Sequence, residues 1–123
     1  MPVYFVKLTT PANTLIASET FESVVITPGI LERVIILIPA GHSGLTFTRI
    51  LYNGRQIIPN TFADYMQGGN IKLEFDINLE VKDHPNRLAV SGFNLDDTFE
   101  HSTYVWFEVE TSKNRLDLFK RLI

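Results

Sequence analysis

Cysteine is absent from the 123 residues. Its absence excludes disulfides, a thiol nucleophile and thiolate zinc or iron–sulfur sites. It leaves the redox compartment open, because a chain of this length can build a core without staples. Long apolar runs are missing as well: the longest strongly apolar stretch, Val34 to Pro39, is far short of the roughly 20 residues that cross a bilayer. The start, Met1-Pro2-Val3-Tyr4-Phe5-Val6-Lys7, lacks the basic region, sustained apolar segment and small-residue cleavage site of a secretory signal, so export by that route is not expected. Nor is there a basic excess. Lys and Arg number 11 against 14 Asp and Glu, a net charge of −3, which is no footprint for a polyphosphate partner.

The composition that remains is ordinary for a globular domain, with 45% hydrophobic and 20% charged residues, and the length suits one domain. Its patterning is that of β-structure. From Asn70 to Val81, six apolar residues (Ile71, Leu73, Phe75, Ile77, Leu79, Val81) alternate strictly with polar ones, which predicts a half-buried strand. Ser102 to Glu110 repeats the pattern, with Thr103, Val105, Phe107 and Val109 on one face and Tyr104, Trp106, Glu108 and Glu110 on the other. The aromatic pair predicts a second face half covered by a neighbouring segment or a partner, since Tyr and Trp suit surfaces with one apolar and one wet end. Glu32 to Pro39 is apolar on both sides and is expected at the centre of a sheet.

Leu45 to Tyr52, Arg87 to Phe93, Val3 to Leu8, Thr14 to Ala17 and Phe21 to Thr27 are further expected strands. Asn53-Gly54, between Ile50-Leu51-Tyr52 and Gln56-Ile57-Ile58, predicts a type I′ hairpin whose central residues both take positive φ. Seven to nine short strands separated by Pro- and Gly-containing turns point to an all-β fold, an antiparallel β-sandwich or jelly roll. Only Asn60 to Gln67 and the last dozen residues have room for a helix. The sandwich is expected over residues 1–112 and a C-terminal arm, extended or a short helix, over 113–123.

No catalytic constellation stands out. Asn94 to His101 gathers Asp96, Asp97, Glu100 and His101 but lacks the rhythm and central glycine of a calcium loop, and turn-building is the default for Asp96 and Asp97. His101 adjoins Ser102, and neighbours on a strand point to opposite faces, which argues against a Ser-His-acid triad. The turn around His42 lacks the lysine and following helix of a phosphate loop. Glu74, Glu108 and Glu110 are acids without the spacing evidence a glycosidase needs, and Glu108 and Glu110 oppose nucleic-acid binding beside Tyr104 and Trp106. The chain is therefore expected not to be an enzyme and to need no metal or cofactor.

The arm has its own character. From Lys113 onward, Lys113, Arg115, Lys120 and Arg121 meet one acid, Asp117, giving +3 and leaving −6 for the remainder. Leu116, Phe119 and Leu122 recur at helix-like offsets. Two readings stay open: the arm closes over its own sandwich, or it docks on a neighbouring subunit or another protein. Membrane binding is disfavoured by the small apolar area.

The segments Thr27-Pro28-Gly29-Ile30 to Pro39-Ala40-Gly41, Ile50-Leu51-Tyr52-Asn53-Gly54-Arg55-Gln56-Ile57-Ile58-Pro59-Asn60 and Asn94-Leu95-Asp96-Asp97-Thr98-Phe99-Glu100-His101 resemble small β-sandwich accessory proteins of tailed-bacteriophage virions, over residues 20 to 110. The resemblance implies a capsid decoration or cement role. It also implies a major capsid or other virion protein as partner, self-association with a trimer favoured, and residence in the virion after synthesis in the host cytoplasm. The interface candidates are Tyr104, Trp106, Arg115, Leu116, Phe119 and Leu122. The alternative is a carbohydrate- or receptor-binding module using Tyr4, Tyr52, Tyr65, Tyr104 and Trp106.

Overall fold

The computed structural model describes residues 2–41, 44–61, 64–82 and 85–111. These form nine strands: β1 (Val3–Thr10), β2 (Thr20–Val25), β3 (Gly29–Ile38), β4 (Thr46–Tyr52), β5 (Arg55–Ile58), β6 (Met66–Gln67), β7 (Ile71–Val81), β8 (Arg87–Asn94) and β9 (His101–Thr111). Sheet A has the order β1-β9-β3-β7, and sheet B the order β2-β8-β4-β5 with β6 paired to β4. All pairings are antiparallel. β1 pairs with β9, β2 with β8, β3 with β7 and β4 with β5, so the chain is one long hairpin rolled into two facing sheets. This is the jelly-roll form of the all-β sandwich.

The tip of that hairpin is Asn53-Gly54. Both residues have positive φ, 48° and 84°, as the type I′ turn requires. The Asn53 side chain fastens the tip to β8 by accepting the Arg87 amide at 2.8 Å. Between the sheets, alternate residues of each strand fill the core: Val34 and Ile36 from β3, Val105 and Phe107 from β9, Ile50 from β4 and Val90 from β8 have no exposed surface. Fully burying a side chain of this size stabilises by roughly 1.5–3 kcal/mol. A polar pair sits among them, with Tyr52 donating to Asn86 Oδ1 at 2.6 Å and Asn86 Nδ2 donating to the Val81 carbonyl at 3.2 Å.

One side of the sandwich is closed. The Thr20 hydroxyl of β2 reaches Thr10 Oγ1 of β1 at 3.3 Å, and Asn94 Nδ2 donates to the Thr10 carbonyl at 3.2 Å. On the other side β5 and β7 line a cleft of about 490 Å³ that includes Ile57, Phe75, Ile77 and Leu79. The four-residue β5 does not match the eleven residues of β7. The inward residues Leu73, Phe75, Ile77 and Leu79 are therefore only half-buried.

Two local expectations are corrected and a third gains detail. Thr14 to Ala17 is not a strand: Thr14 makes a lone bridge to Asn94 and Ile16–Ser18 is a 3-10 turn. Asn13 at φ 58° turns the chain away from β1 there. Of Asn60 to Gln67, the described residues form no helix, and Met66–Gln67 pairs with β4. The Gln56 side-chain nitrogen lies 2.9, 3.1 and 2.9 Å from the carbonyls of Pro59, Thr61 and Asp64, holding them in a loop. β3 is central, as expected, but its outward side is not covered like its inward side: Ile35 is half-buried and Leu37 exposed.

Candidate functional site

The outward face of sheet A is built from four strands whose registers place side chains in rows. One row runs Val3, Glu108, Arg33 and Asp76. The next runs Phe5, Trp106, Ile35 and Glu74, and the third Lys7, Tyr104, Leu37 and Lys72. Each is outward because the strand period is two residues; the alternate residues Val6, Val105, Phe107, Val34 and Ile36 are in the core. An antiparallel sheet facing water usually carries polar side chains on that side. Here Val3 is 55% exposed, Phe5 50% and Leu37 36%, with Trp106, Tyr104 and Ile35 half-buried among them.

The aromatic groups pack on one another. The rings of Phe5 and Trp106 are 5.2 Å apart and tilted by 45°, and those of Phe5 and Tyr104 are 6.1 Å apart at 17°. Lys7 Nζ lies 5.8 Å from the Tyr104 ring centre, within cation–π range. Charges frame the patch. Arg33 donates from Nε and Nη2 to both oxygens of Glu108 at 2.9 and 3.0 Å, and its Nη1 is 3.9 Å from Glu74. The hydrogen bond to Glu108, with its charge, holds the Arg33 guanidinium above its ordinary value. Lys72, 3.0 Å from Glu74, holds that carboxyl below the usual range. These pairs face solvent and add little to stability; they do fix which charge sits in which row.

Sheet B's outward face exposes Phe21 and Val25 on β2 and carries an ion pair and an aromatic group beside them. Arg49 donates to both oxygens of Glu19 at 2.9 and 2.8 Å and lies 5.2 Å from the Tyr65 ring. Tyr65 packs edge-on to Phe93, which stacks on Phe47 at 4.6 Å. Burial, followed by the Glu19 carboxylate, pushes the Tyr65 hydroxyl up. A cleft of about 240 Å³, lined partly by Phe21 and Leu51, opens on this side.

The acid-rich loop before β9 is a built turn. Asn94 Oδ1 accepts the Asp96 amide at 2.9 Å, and Asp96 Oδ1 accepts the amides of Thr98 and Phe99 at 2.9 and 3.2 Å. Asp96 Oδ2 is 2.8 Å from His101 Nε2. The Thr98 amide, then His101, holds the Asp96 carboxyl below its ordinary value. Ser102 Oγ lies 3.0 Å from Thr9 Oγ1. Among the described residues no group of three or more His, Asp or Glu is arranged to hold a metal ion.

Of the interface residues expected from the sequence, Tyr104 and Trp106 lie together at the centre of sheet A's outward face. Arg115, Leu116, Phe119 and Leu122 lie outside the described residues. Sequence reasoning did not single out Val3, Phe5, Ile35 or Leu37, which complete the patch. The available signal was the alternation of β1, whose outward positions Val3 and Phe5 are apolar when Val6 and Leu8 point inward.

No family model matches this chain, and no curated protein does. A crystal structure of FlhE is similar over 89% of this chain and 99% of its own, at 7% identity and a TM-score of 0.46. At that level the likeness carries no further argument.

Proposed function

We propose that this chain is a structural, non-catalytic virion protein of decoration type. It associates with its own copies through the outward face of sheet A and binds a protein shell in that assembled form. The observation that carries the reading is the apolar and aromatic patch of Phe5, Trp106, Tyr104, Val3, Ile35 and Leu37 on a face that would otherwise be polar. Patches of this kind mark interaction sites, and aromatic residues ringed by charge are the usual anchors of protein interfaces. The virion setting, with a major capsid or other virion protein as partner, rests on the sequence resemblance. The jelly roll agrees with it by analogy, being an architecture of viral shell and lectin domains alike. Glu74, Asp76 and Glu108 balance Arg33, Lys7 and Lys72 on the same face, which leaves no cationic excess for nucleic acid as the partner.

A carbohydrate-binding module is the second reading, favoured by the near-parallel rings of Phe5 and Tyr104. The Lys7 ammonium near the Tyr104 ring competes with a sugar for that aromatic face, so a protein partner is preferred. Cosedimentation of the purified chain with capsids from its own source separates the two. Saturable binding that Phe5→Ala and Trp106→Ala abolish supports the shell reading. Failure to bind any particle, with a glycan-array signal lost in Trp106→Ala, replaces it with the second.

A further inference from the structure

We infer that a second copy of this chain packs face to face on the outward side of sheet A, about a two-fold axis that runs between β3 and β9 parallel to the strands. The inference rests on the binding role proposed for this face and names its partner. A two-fold axis lying in the interface makes each surface meet itself. With the axis along the strands, every row is kept and its columns are exchanged. Arg33 then faces Glu108 of the other copy, Ile35 faces Trp106, and Leu37 faces Tyr104, as follows from the register of the two central strands. Across the two central strands each row meets its complement: cation against carboxylate, and branched aliphatic against aromatic ring.

The perpendicular in-plane axis is a poorer fit. It matches Phe5, Ile35 and Trp106 with their own copies and Lys72 with Asp76, but it sets the central Arg33 against Leu37, Glu108 against Tyr104 and Glu74 against another Glu74. The chosen axis confines its mismatches to the outer strands, where Lys7 faces Lys72, Phe5 faces Glu74 and Val3 faces Asp76. There Lys7 already lies near the Tyr104 ring and Lys72 is held by Glu74, and salt screens the repulsion. Four strands spaced by about 4.8 Å, along roughly 20 Å of strand, give a flat patch of about 400 Å² on each copy. Side-chain relief raises the accessible area above this figure. The pair belongs among the smaller interfaces and is concentration-dependent. It is two-fold, where the virion resemblance implies a trimer.

The absence of native cysteine makes the test direct, because cross-linking reports only the sites introduced. Lys7 and Lys72 stand at opposite edges of the face, and replacing them removes no apolar contact. An equimolar mixture of full-length Lys7→Cys and Lys72→Cys chains, treated with a short bis-maleimide, is expected to give at least tenfold more cross-linked dimer than either chain alone. Equal yields, or self-cross-linking of Lys7→Cys chains, would overturn the axis. In sedimentation velocity, Arg33→Glu and Glu108→Arg each shift the wild-type dimer to monomer, and the double swap in one chain restores the dimer. Circular dichroism checks that all three variants are folded. A particle at three times the 14.0 kDa chain mass, or no rescue by the double swap, defeats the proposal. Shell binding by a strict monomer likewise overturns this pairing while leaving the decoration role standing; a dimer that ignores every shell does the reverse.

Discussion

The Asp96 carboxylate takes two backbone amides and contacts His101, and its pKa is lowered in the folded chain. Near its unfolded value of about 3.9, the folded state binds fewer protons there than the unfolded state. The linked stability is therefore present at neutral pH and is lost as pH falls through the folded value. Asp96→Asn retains a carbonyl oxygen as acceptor but cannot titrate, so urea-unfolding free energy should decline less steeply below about pH 4 than in the wild type. Parallel pH profiles would remove Asp96 as a source of acid sensitivity. Tyr52 poses a simpler case. Tyr52→Phe deletes the donor to buried Asn86 Oδ1 and should lower stability by about 1–3 kcal/mol in urea melts, while an exposed change such as Glu80→Gln stays within about 0.5 kcal/mol.

Among the elements, β8 is the most constrained. Gly92 pairs with both Thr20 and Thr48, and a Cβ there would stand 2.5 Å from the Phe47 carbonyl oxygen and 3.2 Å from Leu8 Cδ2. The obstacle is backbone, which cannot rotate aside. Gly92→Ala should cost roughly 1–3 kcal/mol or more, read as a fall in melting temperature; an unchanged melting curve would mean that β4 and β8 are less closely held than their register implies. β7 shows how far local pattern reaches. Its strict alternation announced a strand with one buried face, and the strand is there. Yet β7 is the edge of sheet A, its register with β3 slips between Leu31 and Arg33, and Asn78 takes φ 54°. Alternation reports how two faces differ in polarity. It is silent on how many neighbours share the hydrogen bonds, and on where an extra residue is accommodated.

For the whole molecule, the outward patch of sheet A should behave as a binding surface rather than a core. Trp106→Ala is expected to weaken self-association by at least about tenfold, close to 1.4 kcal/mol, with a much smaller shift in melting temperature; a large loss of thermal stability with unchanged association would make Trp106 structural instead. Two of the six patch residues were legible beforehand, because Tyr104 and Trp106 share one face of one strand and a period of two is a local property. The other four were not. Phe5 meets Trp106, and Ile35 lies beside it on β3, only because β9 inserts between β1 and β3. Sequence alone determined the β class, the strand over 70–81, the hairpin at Asn53-Gly54 and the polarity of the alternating strand faces, since these depend on neighbouring residues and turn chemistry. Tertiary structure decided strand order, which strands form edges, and the union of β1, β9 and β3 into one apolar patch, because those follow from long-range pairing of segments that no local pattern brings together.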